Sequence, residues 1–127
     1  MAKIAIADDS NPIRLLLRRQ LEAAGHEVVE AADGCDLIEQ LSLIDTGGGE
    51  KVDLAMVDWM MPRLDGAGTT AVIREKWPEM PVIGFTAGWS ARNSEAPGQT
   101  DDFVAKPFDF DYLFEAIDEL TGEPPRP

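Results

Sequence analysis

A single cysteine, Cys35, excludes an internal disulfide and any cysteine-based metal cluster, and its place in a helical pattern reads as a buried or half-buried bystander. One histidine, His26, falls in a turn before a strand-like segment, where a solvated surface position is expected. No apolar run approaches the roughly 20 residues that span a bilayer. The start Met1-Ala2-Lys3-Ile4 passes directly into a strand pattern, without the charged, apolar and small-residue regions of a signal peptide, so a cytoplasmic protein is expected. Cations are scarce: 11 Lys and Arg face 24 Asp and Glu, a net charge of -13. Nucleic-acid phosphates and anionic lipid headgroups would repel such a chain, so direct nucleic-acid or membrane binding is not expected. The 127 residues leave no room for a second domain, and 44% apolar with 28% charged residues is ordinary for a globular core.

Short apolar runs alternate with helical patterns. Lys3–Ala7 reads as a strand ending in Asp8-Asp9. Asn11-Pro12 then starts a helix with Ile13, Leu16, Leu17, Leu21 and Ala24 on one face and Gly25 as its stop. Glu27–Ala31 is a second strand, Asp33-Gly34 a turn or cap, Leu37–Ile44 the end of a second helix and Thr46–Glu50 a flexible loop. Val52–Val57 is a third strand with Asp58 at its carboxyl end, followed by a helix over Thr69–Trp77 and a strand over Val82–Phe85. Gly88–Thr100 is rich in glycine, proline and serine, so a fourth helix there would be short or disordered. Phe103–Ala105 is a fifth strand, and Asp109 caps a last helix with Leu113, Ala116, Ile117 and Leu120 on one face. Residues 1–121 thus read as one domain and 122–127 as a flexible tail.

Five such strands predict an α/β fold with a five-stranded parallel sheet and helices on both faces, because parallel strands need crossover connections. Ligands of such sheets sit at the carboxyl ends of the strands. Those ends carry Asp8-Asp9, Asp58, Thr86 and Lys106. Crowded carboxylates repel unless a cation joins them, and an all-oxygen set with few protein ligands suits Mg²⁺. A metal beside a free carboxylate and a lysine is what phosphoryl transfer requires, with Asp58 as the nucleophile.

Four stretches, Ala7-Asp8-Asp9-Ser10, Val57-Asp58-Trp59-Met60-Met61-Pro62, Phe85-Thr86-Ala87 and Asp102–Phe108 with its Lys106-Pro107 step, follow the pattern of the response-regulator receivers. The resemblance spans nearly the whole chain and implies the flavodoxin-like receiver fold. It also implies Mg²⁺ on Asp8, Asp9, Asp58 and the Met60 backbone carbonyl, and phosphoryl acceptance by Asp58. Lys106 would pair with phosphoryl oxygens, the Lys106-Pro107 bond would be cis, and Thr86 would reach the phosphoryl group while Phe103 turns inward. Met60 and Gly88 would sit where the family tunes dephosphorylation. The turn Phe85-Thr86-Ala87-Gly88-Trp89 is similar to that of a receiver subgroup with a Phe-Ala-Thr-Gly motif and a poorly ordered fourth helix.

The implied partners are a histidine kinase or histidine phosphotransfer protein and a downstream protein target, with the chain itself a monomer. His26 is not placed as a phosphodonor. Arg14, Leu15 and Arg18, on the first helix, form a candidate docking patch that could equally be a solvated face. Without a basic output domain the chain reads as a stand-alone regulator, while its Gly-Glu-Pro-Pro-Arg-Pro end keeps open a receiver cut from a longer protein. A Mg²⁺-dependent phosphatase passing through an aspartyl phosphate is the enzymatic alternative, yet such enzymes place Asp-x-Asp after the first strand. A flavin or nucleotide domain is disfavoured because residues 8–12 hold neither a glycine-rich loop nor a P-loop.

Overall fold

The structure is a computed structural model and describes residues 2–47, 49, 51–61, 63–87, 100–106 and 108–122, with positions 86, 87, 105 and 106 described by their backbone. Elements alternate along the chain: β1 (Lys3–Ala7), α1 (Asn11–Ala23), β2 (Glu27–Ala31), α2 (Gly34–Gly47), β3 (Leu54–Asp58), α3 (Gly66–Lys76), β4 (Val82–Ala87), β5 (Asp102–Lys106) and α4 (Phe110–Thr121). All strand pairings are parallel, in the order β2-β1-β3-β4-β5. The expected short or disordered helix between β4 and β5 lies outside the described residues, so α4 here is the helix after β5.

Side chains that alternate along each strand feed two cores. Ile4 and Ile6 of β1, Leu54 and Met56 of β3, and Ile83 and Phe85 of β4 pack with Leu17 and Leu21 of α1 and Leu113 and Ile117 of α4. Ala5, Ala7, Ala55, Val57 and Val82 face the other way, toward Leu37 and Leu41 of α2 and Ile73 of α3. Helices therefore cover both faces, which is why residues 4–7 of β1 and 54–57 of β3 are unbroken runs of buried apolar side chains. The small alanines on the second face let α2 and α3 approach closely.

Helix ends follow from local chemistry. Ser10 Oγ accepts the Ile13 N–H at the start of α1, Asp65 accepts the Gly68 N–H at α3, and Asp109 accepts the Tyr112 N–H at α4. Gly25 and Gly122 close α1 and α4 with φ of 94° and 73°, where a side chain would be strained. Gly122 caps α4, and the rest of the expected tail, residues 123–127, lies outside the described residues.

Several expectations need correction. α3 begins at Gly66, three residues before the expected Thr69, because Asp65 supplies the cap. α2 continues through Thr46 and Gly47, where the Thr46 hydroxyl donates back to the Ser42 carbonyl, so the loop is shorter than expected. Leu16 is 41% exposed, since Leu17 and Leu21 take the face toward the sheet. Cys35 is exposed on the first turn of α2 rather than buried or half-buried. His26 is the reverse: at 4% exposure it is buried, with Nδ1 accepting the Ala2 N–H at 3.1 Å where the turn after α1 folds back beneath β1.

Candidate functional site

The sheet order reverses direction between β1 and β3, and their carboxyl ends form the crevice at which such folds bind ligands. Ala7 is level with Val57, so Asp8 and Asp58 emerge side by side. Asp8 is fully buried, and its Oδ1 accepts the Ser10 N–H at 2.7 Å, turning the chain into α1. Asp58 closes β3 at 3% exposure, and its Oδ1 accepts the Met60 N–H at 3.2 Å. Asp9 is exposed at the rim. One carboxylate oxygen from each of Asp8, Asp9 and Asp58 lies within 4.8 Å of the others. Three like charges at this spacing, two of them out of water, call for a cation. An all-oxygen donor set with one side open to solvent fits a hard divalent ion that keeps part of its water shell, as Mg²⁺ does.

Of the remaining expected residues, Thr86 follows Phe85, which is level with Asp58, and Lys106 ends β5 opposite Ala87. Their backbones therefore reach the same edge of the sheet as the carboxylates. Their side chains, Gly88 and the Lys106-Pro107 linkage lie outside what is described. The Met60 side chain is 72% exposed beside the crevice.

Phe103 is level with Gly84 and is 4% exposed. Its ring meets Trp59 edge-on, with centroids 5.3 Å apart and planes at 80°. The seat exists because Gly84 has no side chain: a Cβ there would lie 2.6 Å from two Phe103 ring carbons and 3.2 Å from the Trp59 ring. Phe103 is thus inward and touches the residue that follows Asp58. Gly84 escaped the sequence reading, although a glycine inside a buried strand is a recognised sign of close approach.

Arg14 and Arg18 prove to be engaged. The Arg14 guanidinium donates to the Asp8 carbonyl and to Asn11 Oδ1, and its Nε to Glu30 Oε1 at 3.3 Å. Arg18 pairs with Glu30 at 2.5 Å and with Glu22 at 3.4 Å, and the Glu30 and Glu22 contacts raise its pKa. Between them Leu15 is 48% exposed. The expected patch is therefore one apolar side chain flanked by cations already paired, and Arg14 braces the turn that presents Asp8.

The response regulator receiver domain family matches residues 4–118. The chain is a response-regulator receiver domain. Among curated relatives, the transcriptional regulatory protein GlrR of Escherichia coli K12 is 35% identical over 124 residues, 96% of this receiver and 27% of GlrR. The CAI-1 autoinducer sensor kinase/phosphatase CqsS of Vibrio cholerae is 31% identical over 121 residues, 91% of this receiver and 17% of CqsS. The receiver thus spans about a quarter or less of these longer proteins. Among solved structures, the receiver domain of Francisella response regulator 1452 superposes with a TM-score of 0.80 at 31% identity, covering 96% of this receiver and 98% of that chain. TrrA of Thermotoga maritima, solved in complex with Mg²⁺-BeF, superposes with a TM-score of 0.76 at 30% identity, covering 94% and 99%. Among the described residues no helix is long and apolar enough to cross a membrane.

Proposed function

We propose that this receiver accepts a phosphoryl group on Asp58 from the phosphohistidine of a histidine kinase or histidine phosphotransfer protein, with Mg²⁺ held by Asp8, Asp9, Asp58 and the Met60 carbonyl. The observation that carries the proposal is the convergence of three carboxylates within 4.8 Å, with Asp58 at the end of a buried strand. A carboxylate oxygen of Asp58 attacks the phosphorus in line, the P–N bond breaks, and its electron pair returns to the imidazole, leaving an acyl phosphate on Asp58. The Met60 N–H on Oδ1 fixes the orientation of the nucleophile. Bound Mg²⁺ would supply neutralisation of the charge spread over the phosphoryl oxygens.

Lys106 pairs with a phosphoryl oxygen, and Thr86 donates its hydroxyl to another. The new bonds draw the end of β4 toward Asp58, and the Phe103 ring, packed on Gly84 and Trp59, passes that shift to the surface around β5 and α4, where a downstream protein reads it. Attack of water on the acyl phosphate, aided by the same residues, resets the domain. Leu15, between Arg14 and Arg18, is the contact offered to the phosphodonor. The domain works as a cytoplasmic signalling phosphoacceptor, either alone or within a longer regulator. TrrA, bound to Mg²⁺-BeF, supports the reading by similarity.

Beryllofluoride with Mg²⁺ tests it. The pair should change the tryptophan fluorescence of the wild type, with no change in Asp58→Asn, in Trp59→Phe or after chelation. A response that survives Asp58→Asn would remove Asp58 as acceptor.

A further inference from the structure

Outside the acidic crevice, the segment between β3 and α3 carries an uncommon backbone conformation. Arg63 has φ of 65°, the left-handed region that side chains other than glycine rarely adopt. Two independent features hold the segment there. The Arg63 guanidinium clasps one oxygen of Asp33, with Nε at 2.8 Å and Nη2 at 2.6 Å. Asp33 is only 8% exposed, and its other oxygen accepts the Asp36 N–H at 2.9 Å, so the anchor is fixed to the first turn of α2. That backbone contact and the Arg63 guanidinium hold the Asp33 carboxyl below its ordinary pKa. Beside it, the missing side chain of Gly34 lets α2 press onto the same segment: a Cβ there would lie 2.7 Å from the Leu64 carbonyl and 1.9 Å from Thr69 Oγ1.

The other end of this segment touches the acceptor. The Met60 N–H donates to Asp58 Oδ1, the Trp59 N–H donates to the Phe85 carbonyl at 2.8 Å, and the Gly66 N–H donates back to the Trp59 carbonyl at 3.1 Å. Arg63 thus stands three positions after Met60, whose N–H is the donor on Asp58. We infer that the Asp33–Arg63 pair positions the acceptor segment, setting where Met60 meets Asp58 and hence how well the acidic crevice holds a divalent ion. Arg63 touches neither metal nor phosphoryl group; it acts through the backbone of Met60. The inference rests on the metal-site reading above.

Binding of Mn²⁺, followed by loss of the free-ion electron paramagnetic resonance signal and then by displacement with Mg²⁺, reads the effect without any phosphodonor. Arg63→Gly removes the clasp and accepts the left-handed φ without strain, while Asp33→Asn removes the anchor's charge. Each should weaken Mn²⁺ binding about tenfold, as loss of a residue that orients ligands does. The double variant should be no weaker than either single one, and Arg63→Lys, which keeps the charge but not the fork, should fall between. Affinities within twofold of wild type in Arg63→Gly and Arg63→Lys, with only the melting temperature lowered, would overturn the inference and leave the pair a structural brace. Wild-type binding that is unchanged by Asp58→Asn and Asp8→Asn would instead overturn the metal site itself, and the positioning role with it.

Discussion

Gly84→Ala is the sharpest perturbation of the Phe103 seat, because the added atom has a known destination. The new Cβ would sit 2.6 Å from Phe103 Cδ2 and Cε2. Carbon pairs rest at about 3.5–4.0 Å, so the ring must retreat by about 1 Å or leave its seat. Expelling it forfeits up to about 1.5–3 kcal/mol of burial and about 0.5–1.5 kcal/mol from the edge-on contact with Trp59. Replacing a strand glycine with alanine returns about 0.5–1 kcal/mol. The net expectation is a loss of about 1–4 kcal/mol if the ring is fully expelled, which spans the usual cost of overpacking, about 1–3 kcal/mol. Urea unfolding followed by circular dichroism measures it, and the melting temperature should fall by about 3–5 °C per kcal/mol.

The decisive control is the same substitution in a Phe103→Ala background. The ring is then gone, leaving only the tight Trp59 contact at 3.2 Å, and Gly84→Ala should become neutral or stabilising. Reversal of sign between backgrounds is the signature of a ring seated on a glycine. Gly84→Ala that stabilises the wild type, or that costs the same in both backgrounds, would refute the packing argument.

Three further outcomes follow from the same structure. Mg²⁺ at ten times its dissociation constant should stabilise the wild type by about 1.4 kcal/mol in thermal unfolding. Asp8→Asn should melt higher than wild type in chelator, since it relieves carboxylate repulsion, and should lose the Mg²⁺ response; a wild type indifferent to Mg²⁺ would contradict the metal site. Tyr112 is the only tyrosine, and its hydroxyl donates to Asp102 at 2.9 and 2.8 Å, a contact that raises its pKa. The stabilisation is then complete below pH about 10 and lost as pH rises through the raised value. Tyrosinate absorbance should show a midpoint above that of free tyrosine, returning toward it in Asp102→Asn; equal midpoints would exclude the contact. Asp109→Ala removes the cap of α4 and should cost about 1 kcal/mol in urea unfolding, whereas no loss would mean the Tyr112 N–H finds another acceptor.

The fold was largely readable because its signals are local. β1 and β2 stood where their apolar runs placed them, and Asp109 marked α4 by a side chain three residues from its partner. The polar residues at the strand ends were readable once the sheet was inferred, since parallel crossovers bring every carboxyl end to one edge. α3 began earlier than expected because Gly66-Ala67-Gly68 looks like a breaker; Gly66 is needed there because a Cβ would lie 2.5 Å from the Trp59 ring. What escaped was non-local. The Asp33–Arg63 clasp joins residues 30 apart, and nothing in their spacing announces it. His26 looked like a turn residue because the chain that buries it, at Ala2, lies 24 positions away. Arg14 looked free for docking because its acceptors on Asp8 and Glu30 meet only when β1 and β2 pair.

Intact mass after incubation with acetyl phosphate and Mg²⁺, with a quench fast enough to trap an acyl phosphate, reads phosphorylation of Asp58 itself. One added phosphoryl group is expected on the wild type, and none on Asp58→Asn or in chelator. An adduct that persists in Asp58→Asn, or that forms without a divalent ion, would contradict it.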